Sequence, residues 1–389
     1  MRWYPLKKKL LHFTSYVLVA ALATVVTLAV VTILDDRTSS KLSQLEELIL
    51  ECFIGEADQT VMEDAAADAM VNALGDRWSY YIPASEYAAY REQVENAYVG
   101  VGITIQITEE DEGFLILAVS EGGPAEEAGL VVSDLLIAVD GQDVRGMTTA
   151  DVRDLVRGEE GTYVSMTVLR QGDPVYLSVE RRQVQMPVAV YEMLENNIGL
   201  VTIVNFDSRC ADETIAAIEA LLQQGAEKLI FDVRFNPGGY ASELVDVLDY
   251  LLPEGELFRA VDYTGAENID YSDADCLEIP MAVLVNGESY SAAEFFAAAL
   301  SEYEAATVVG EHTSGKGYFQ NTFKLDDGSA VGLSVGKYYT PKGISLADVG
   351  VTPDVQVTVD EETADAIYYG TLEPQDDPQI QAAVKALEK

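Results

Sequence analysis

Three polar side chains stand out for what they could do together. Ser291, Lys316 and Gln320 lie in the stretches Asn286-Gly-Glu-Ser-Tyr-Ser-Ala-Ala-Glu294 and Gly310-Glu-His-Thr-Ser-Gly-Lys-Gly-Tyr-Phe-Gln320. A serine hydroxyl attacks a carbonyl carbon only when a neighbouring base takes its proton. Histidine is the usual base, and the chain has two, His12 and His312. His12 directly precedes a long uncharged stretch, which leaves His312 as the one imidazole available to a triad. A lysine can serve instead when burial strips water from its ammonium, because desolvation disfavours the charged form. Each unit of lowering costs about 1.36 kcal/mol, within reach of an apolar pocket. Gln320, with two donors and an acceptor, could accept one N–H of a neutral amine and leave its lone pair to the serine. Taken singly, the same residues have plainer uses. Ser291 and Glu294 have the spacing of a capping box, and a lysine between two glycines is ordinarily a solvated charge.

Chemistry of this kind needs rigid elements behind it. The runs 198–204, 228–233 and 281–285 are rich in Val, Ile and Leu and read as buried strands. The segments 211–224 and 291–304 read as helices. Strands alternating with helices indicate an α/β core. Ser291 then falls where a strand gives way to a helix, and a helix start has free backbone N–H groups. That of Ala292 could donate to a developing oxyanion. Upstream, Tyr98-Val99-Gly100-Val101-Gly102-Ile103 is a glycine-spaced loop in which successive N–H groups can converge on an anion. The apolar run 103–107 after it offers a strand edge that a peptide could extend. Residues 37–96 read as helical and amphipathic, with Leu42, Leu45, Leu48 and Ile49 at helical spacing, interrupted by Asp76-Arg-Trp-Ser-Tyr-Tyr-Ile-Pro83. Such a face is either core or the contact surface of a homo-oligomer.

The 389 residues carry a net charge of −42, which repels nucleic acid and favours solubility. Residues 13–34 contain no charge, and 22 residues at 1.5 Å each span ~33 Å, enough for a bilayer core. Arg2, Lys7, Lys8 and Lys9 precede this run, whereas Asp35 and Asp36 follow it. The expectation is an uncleaved single-pass anchor in the cell membrane, with the remainder outside the cytoplasm. A cleaved signal peptide is the competing reading. Cys52, Cys210 and Cys276 are too few and too scattered for a disulfide framework or a zinc site, and read as structural thiols.

The pattern as a whole resembles the carboxy-terminal processing proteases, a family of serine peptidases with a PDZ domain and a Ser/Lys dyad. The small-residue run ending in Glu294 resembles the family's nucleophile segment. Lys316 lies 25 residues after Ser291, and Gln320 four residues after Lys316, both at the family's spacings. Asp232-Val-Arg-Phe-Asn-Pro-Gly238-Gly239 resembles its Asp-x-Arg-x-Asn-Pro-Gly-Gly loop, and Gly350-Val-Thr-Pro-Asp354 its closing segment. Tyr98–Ile103 and Gly123-Pro-Ala-Glu-Glu-Ala-Gly-Leu130 resemble the PDZ signature. Tyr290, Ala293 and Ser314 depart from the residues common beside the nucleophile and before the lysine.

The resemblance implies Ser291 as nucleophile, Lys316 as base and Gln320 as its orienting partner. It also implies oxyanion donors at Gly238 and Ala292, and a peptide-binding PDZ loop at 98–103. No metal or cofactor is implied. The expected fold is an α/β (α+β) protease core with an inserted PDZ domain, preceded by a single transmembrane helix. Its expected parts are a basic segment and anchor (1–36), a helical segment (37–96), the PDZ domain (97–184), the Ser/Lys core (185–360) and a polar helical tail with a frayed end (361–389). The expected partners are proteins or peptides with free C-termini, the membrane through the N-terminal helix, and no nucleic acid. A non-catalytic PDZ adaptor on a degenerate protease core is the alternative. A His-based protease is the third reading, disfavoured because such proteases place the PDZ domain after the catalytic one.

Overall fold

The computed structural model describes residues 16, 19, 21–27, 40–108, 112–120 and 122–388. They fall into two compact units, Met1–Gly75 and Asp76–Lys389. In the first unit, Ser40 and Asp58 cap helices Lys41–Cys52 and Gln59–Asn72 through side-chain bonds to Ser43 N and Val61 N. Leu42, Leu45 and Leu48 are exposed on the first of these helices.

Among the described residues no helix is long and apolar enough to cross a membrane. This corrects the expected single transmembrane helix. A spanning helix needs about 20 consecutive apolar residues, and no described helix contains such a run. The stretch 13–34 lies outside the described residues, apart from residues 16, 19 and 21–27.

The larger mixed sheet of the second unit has six strands in the order Ala189–Leu194, Ile198–Ile203, Lys228–Asp232, Met281–Val285, Ala306–Gly310, Val355–Gln356. The first pair is antiparallel and the others run parallel. Helices Cys210–Gln223, Ala241–Leu251 and Ala292–Glu302 cover one face, around Phe206, Phe231 and Phe296. Helix Pro378–Ala386 covers the other, setting Ile380, Ala383 and Leu387 against Leu200, Ile230 and Leu284. Burial from both sides is why Met281–Val285 is apolar at every position. The C-terminal segment is thus a packed layer of the core, where the sequence suggested a polar tail. Ile380, Ala383 and Leu387, spaced three and four apart, form its inward stripe, with Ala382 and Val384 partly buried beside them.

A second sheet carries Tyr80–Ile82, Ala330–Tyr339, Gly255–Asp262 and Glu267–Ser272 in that order, with Tyr318–Lys324 also paired to Ala330–Tyr339. Phe258, Phe295 and Tyr338 join it to helix Ala292–Glu302, with ring centroids 4.5–5.6 Å apart, and Phe319 stacks on Tyr338 at 4.8 Å. Each such pair contributes about 0.5–1.5 kcal/mol beyond simple burial. This cluster fixes the Tyr318–Lys324 hairpin arm relative to helix Ala292–Glu302.

Between the two sheets in sequence lies a separate five-stranded meander, Ile103–Ile107, Phe114–Val119, Leu135–Val139, Tyr163–Arg170 and Asp173–Glu180, with the short strand Gln142–Asp143 on its third member. Helix Thr149–Val156, closed by a Thr148/Asp151 capping box, seals its core of Phe114, Ile116, Leu136, Met166 and Val168. The chain enters along Ala97–Gly100 and leaves along Arg182–Gln185, and these two segments pair antiparallel. The module is therefore an insertion into the core, since Tyr80–Ile82 before it already belongs to the second sheet.

Candidate active site

Three loops leave the carboxyl ends of neighbouring parallel strands, where open α/β sheets place their ligands. The loop after Lys228–Asp232 carries Asn236 to Gly239, the loop after Met281–Val285 carries Ser291, and the loop after Ala306–Gly310 carries Lys316.

Ser291 sits at the start of helix Ala292–Glu302 with φ 58° and ψ −124°. A non-glycine residue in this region costs of order 1–3 kcal/mol and persists only where its surroundings enforce it. Here they do. Tyr290 N–H donates to Asn236 O at 3.1 Å. Ser289 Oγ donates to Val233 O at 2.7 Å, and Asn286 Oδ1 accepts from Phe235 N at 3.0 Å. The nucleophile loop is thereby tied to the Asn236 loop on three sides.

Gly238 presses against it. A Cβ there would lie 2.7 Å from Ser291 Cβ and 2.9 Å from Ala292 N, and φ is +87°, so only glycine fits. The Gly238 N–H donates to Asn236 Oδ1 at 2.8 Å. Ala292 N–H stands at the open first turn of the helix.

Glu294 is fully buried and joins the two chemical loops. Its Oε2 accepts from Ser291 N at 3.0 Å and Lys316 N at 2.7 Å. Its Oε1 accepts from Gly315 N at 2.7 Å and from Thr313 Oγ1. One carboxylate therefore holds the backbones of both proposed dyad members. The capping-box spacing pointed to Ser291, but not to the lysine loop 22 residues away. Glu294 N donates to the Ser291 carbonyl oxygen at 2.9 Å.

The Lys316 side chain is partly buried, with Nζ 5.1 Å from the Trp78 ring centroid and 5.9 Å from that of Tyr290. Burial pulls its pKa below the ordinary lysine value, against the opposing charges of Glu294 and Asp76. That is the direction a general base requires. Among the described residues no hydrogen bond joins the Lys316 amine to the Ser291 hydroxyl. Gln320 is not brought to the lysine either. Its Nε2 donates to Tyr318 O at 3.2 Å and Ser334 Oγ at 3.1 Å. His312 is exposed and contacts Thr352 Oγ1 through Nδ1 at 3.3 Å. Among the described residues no group of three or more His, Cys, Asp or Glu side chains is arranged to hold a metal ion.

Residues 197–357 match peptidase family S41, and residues 115–170 match a PDZ domain. The carboxy-terminal processing protease CtpA of Bacillus subtilis (strain 168) is 31% identical over 90% of this chain and 78% of its own length.

The chain belongs to peptidase family S41.

It is a carboxy-terminal processing serine protease that carries a PDZ domain. A "Probable CtpA-like serine protease" of Staphylococcus epidermidis (strain ATCC 12228 / FDA PCI 1200) is 30% identical over 91% of this chain and 74% of its own length. A solved structure described as a "Putative S41 protease", from Bacteroides fragilis NCTC 9343, shares the fold with a TM-score of 0.54. It is 16% identical and covers 89% of this chain and 97% of its own.

In this S41 peptidase the predicted PDZ loop runs from the entry strand into the meander. Tyr98 and Val99 lie in the strand paired to Arg182–Gln185, and the Tyr98 ring folds across Gly100. Val101 O accepts from Ala125 N at 2.9 Å, Gly102 has φ +76°, and Gly102 O accepts from Ser120 N at 2.9 Å. Ile103 opens an edge strand of the sheet, paired only to Phe114–Val119 among the described strands. Two contributors to the site escaped sequence reasoning, Trp78 and the bridging role of Glu294. Both depend on contacts between distant segments.

Proposed function

We propose that this peptidase cuts polypeptides by a Ser291/Lys316 dyad, on substrates whose C-terminal residues are captured by the PDZ domain. The observation that carries the reading is the buried Glu294 carboxylate, which accepts from both Ser291 N and Lys316 N while the lysine side chain lies in an apolar, desolvating setting.

In the proposed cycle, neutral Lys316 takes the proton from Ser291 Oγ as that oxygen bonds to the scissile carbonyl carbon. The carbonyl electron pair moves onto oxygen, where the Ala292 N–H and the Gly238 N–H, turned away from Asn236 Oδ1, receive the negative charge. The ammonium of Lys316 then protonates the leaving amine as the C–N bond breaks, leaving an acyl ester on Ser291. Water attacks this ester, passing a proton to Lys316, and as the ester C–O bond breaks the ammonium returns that proton to Ser291 Oγ, releasing the new C-terminus and the neutral amine. Gln320 steadies the amine if its amide swings from Ser334. Substrate capture rests on the free edge of Ile103–Ile107 and the glycine-spaced loop before it, to which an extended peptide with a terminal carboxylate is suited.

The test is cleavage of an unfolded protein substrate by purified Ser291→Ala and Lys316→Ala variants with wild-type melting behaviour. Each is expected to abolish turnover. Activity retained in either variant refutes the dyad.

A further inference from the structure

Asp76 to Ser79 lie more than two hundred residues before the dyad in sequence, yet border it. Strand Tyr80–Ile82 pairs with Ala330–Tyr339 and delivers them there. Asp76 accepts from Trp78 N at 3.1 Å and from Ser79 Oγ at 2.6 Å, and Ser79 Oγ accepts from Ser334 N at 3.1 Å. Arg77 donates to Ser314 O at 2.7 Å, two residues before the lysine, and its guanidinium lies 4.3 Å from the Trp78 ring centroid. The indole is thus held against the lysine loop by bonds on either side of it. Tyr290, immediately before the nucleophile, is held from the opposite loop by Asn236 O. The two rings stand 6.1 Å apart at 43°, forming a wedge, and the Lys316 amine contacts both. Trp78 Nε1 is buried, with no hydrogen-bond acceptor among the described residues.

We propose that Trp78 and Tyr290 are positioning residues for Lys316, an aromatic wedge that confines its amine and keeps water from it. The inference rests on the dyad reading and adds the means by which the base is kept ready. Aromatic rings have two opposed effects on an amine. Their faces attract an ammonium within about 6 Å of the centroid, and the amine lies 5.1 and 5.9 Å from the two centroids. Their bulk also occupies the space a hydration shell would take, and burial, the largest influence on this lysine, acts in the direction of that second effect. The charged and titratable groups facing the amine are Glu294 from the nucleophile helix, Asp76 from the loop before Tyr80, Arg77 across the indole, and the Tyr290 phenol. Burial pushes that phenol upward, with Glu288 adding to the effect, so it stays neutral where the lysine works.

The experiment is kcat/KM against pH for wild type, Tyr290→Ala, Tyr290→Phe, Trp78→Leu and Lys316→Ala, on one peptide substrate. Opening the wedge admits water, favours the ammonium and moves the acid limb to higher pH. On that limb, activity falls about tenfold for each unit of displacement. Tyr290→Phe, which keeps the ring, keeps the limb where it is. A limb that is unmoved in Tyr290→Ala, or moved to lower pH, overturns the wedge. Should Trp78→Leu fail to fold, the Tyr290 pair decides alone, with Tyr290→Leu replacing the alanine variant if that also unfolds. If Lys316→Ala keeps activity, the dyad has failed. If that variant is inactive while the limb stays put in the ring variants, only the wedge has failed.

Discussion

Replacing Glu294 with Gln leaves the shape of a buried side chain almost unchanged while taking away one of its two acceptor oxygens. The carboxylate receives four donors, two on each oxygen. With the remaining oxygen directed to Ser291 N and Lys316 N, the new NH2 faces Gly315 N and Thr313 Oγ1. The threonine hydroxyl can rotate to accept, but the Gly315 N–H cannot. A hydrogen bond to a charged group contributes about 1.5–3 kcal/mol, and a buried donor left unpaired costs about 1–3 kcal/mol. Allowing for the bond regained by Thr313, Glu294→Gln is expected to lose about 2–5 kcal/mol of stability. Glu294→Ala, which abandons all four donors, loses more. Urea unfolding followed by tryptophan fluorescence measures this directly. Turnover falls further than stability alone explains, because a shift of about 1 Å between nucleophile and base costs on the order of 10²-fold. The reasoning fails if Glu294→Gln unfolds within 1 kcal/mol of wild type and cleaves at the wild-type rate.

Gly238→Ala would set a methyl group 2.7 Å from Ser291 Cβ in a left-handed backbone. It should abolish cleavage and also lower the melting temperature, since a side chain at positive φ alone costs about 1–2 kcal/mol; peptide turnover at wild-type level would contradict this. Arg234 is buried between Asp232, Asp377 and Gln379 and anchors helix Pro378–Ala386 to the start of the Asn236 loop. Arg234→Met strands two buried carboxylates and is expected to cost about 3–5 kcal/mol. In a double-mutant cycle, Asp377→Asn should cost far less in that background than in the wild type, whereas additive effects would show the pair to be uncoupled.

Much of this site can be read along the chain because it is local in sequence. The glycines of 238 and 239, the capping-box spacing of Ser291 and Glu294, and the apolar strand before them each constrain a few consecutive residues. What could not be read depends on pairing. Trp78 reaches Lys316 through the register of Tyr80–Ile82 on Ala330–Tyr339, which no short-range pattern encodes. Gln320 illustrates the sensitivity of sheets to register. A register irregularity falls between Phe319 and Gln320, and such a break re-aims the side chains beside it. A four-residue spacing alone therefore cannot say that the amide meets the amine. The membrane-spanning expectation came from the length of an uncharged run and the charges flanking it, and the described residues contain no helix that meets it. The C-terminal helix misled in the opposite way, because the polar run Glu373-Pro-Gln-Asp-Asp377 before it outweighs Ile380, Ala383 and Leu387 when composition is averaged over 362–389.

The PDZ module hangs on a two-stranded ribbon, Ala97–Gly100 against Arg182–Gln185. Neighbouring strands are about 4.8 Å apart, so departure and return occupy one narrow gate in the catalytic framework. Whatever is spliced between those two points leaves the framework's own strand order untouched. The architecture thus allows the PDZ module to be altered or exchanged while the framework that carries Ser291 and Lys316 stays fixed.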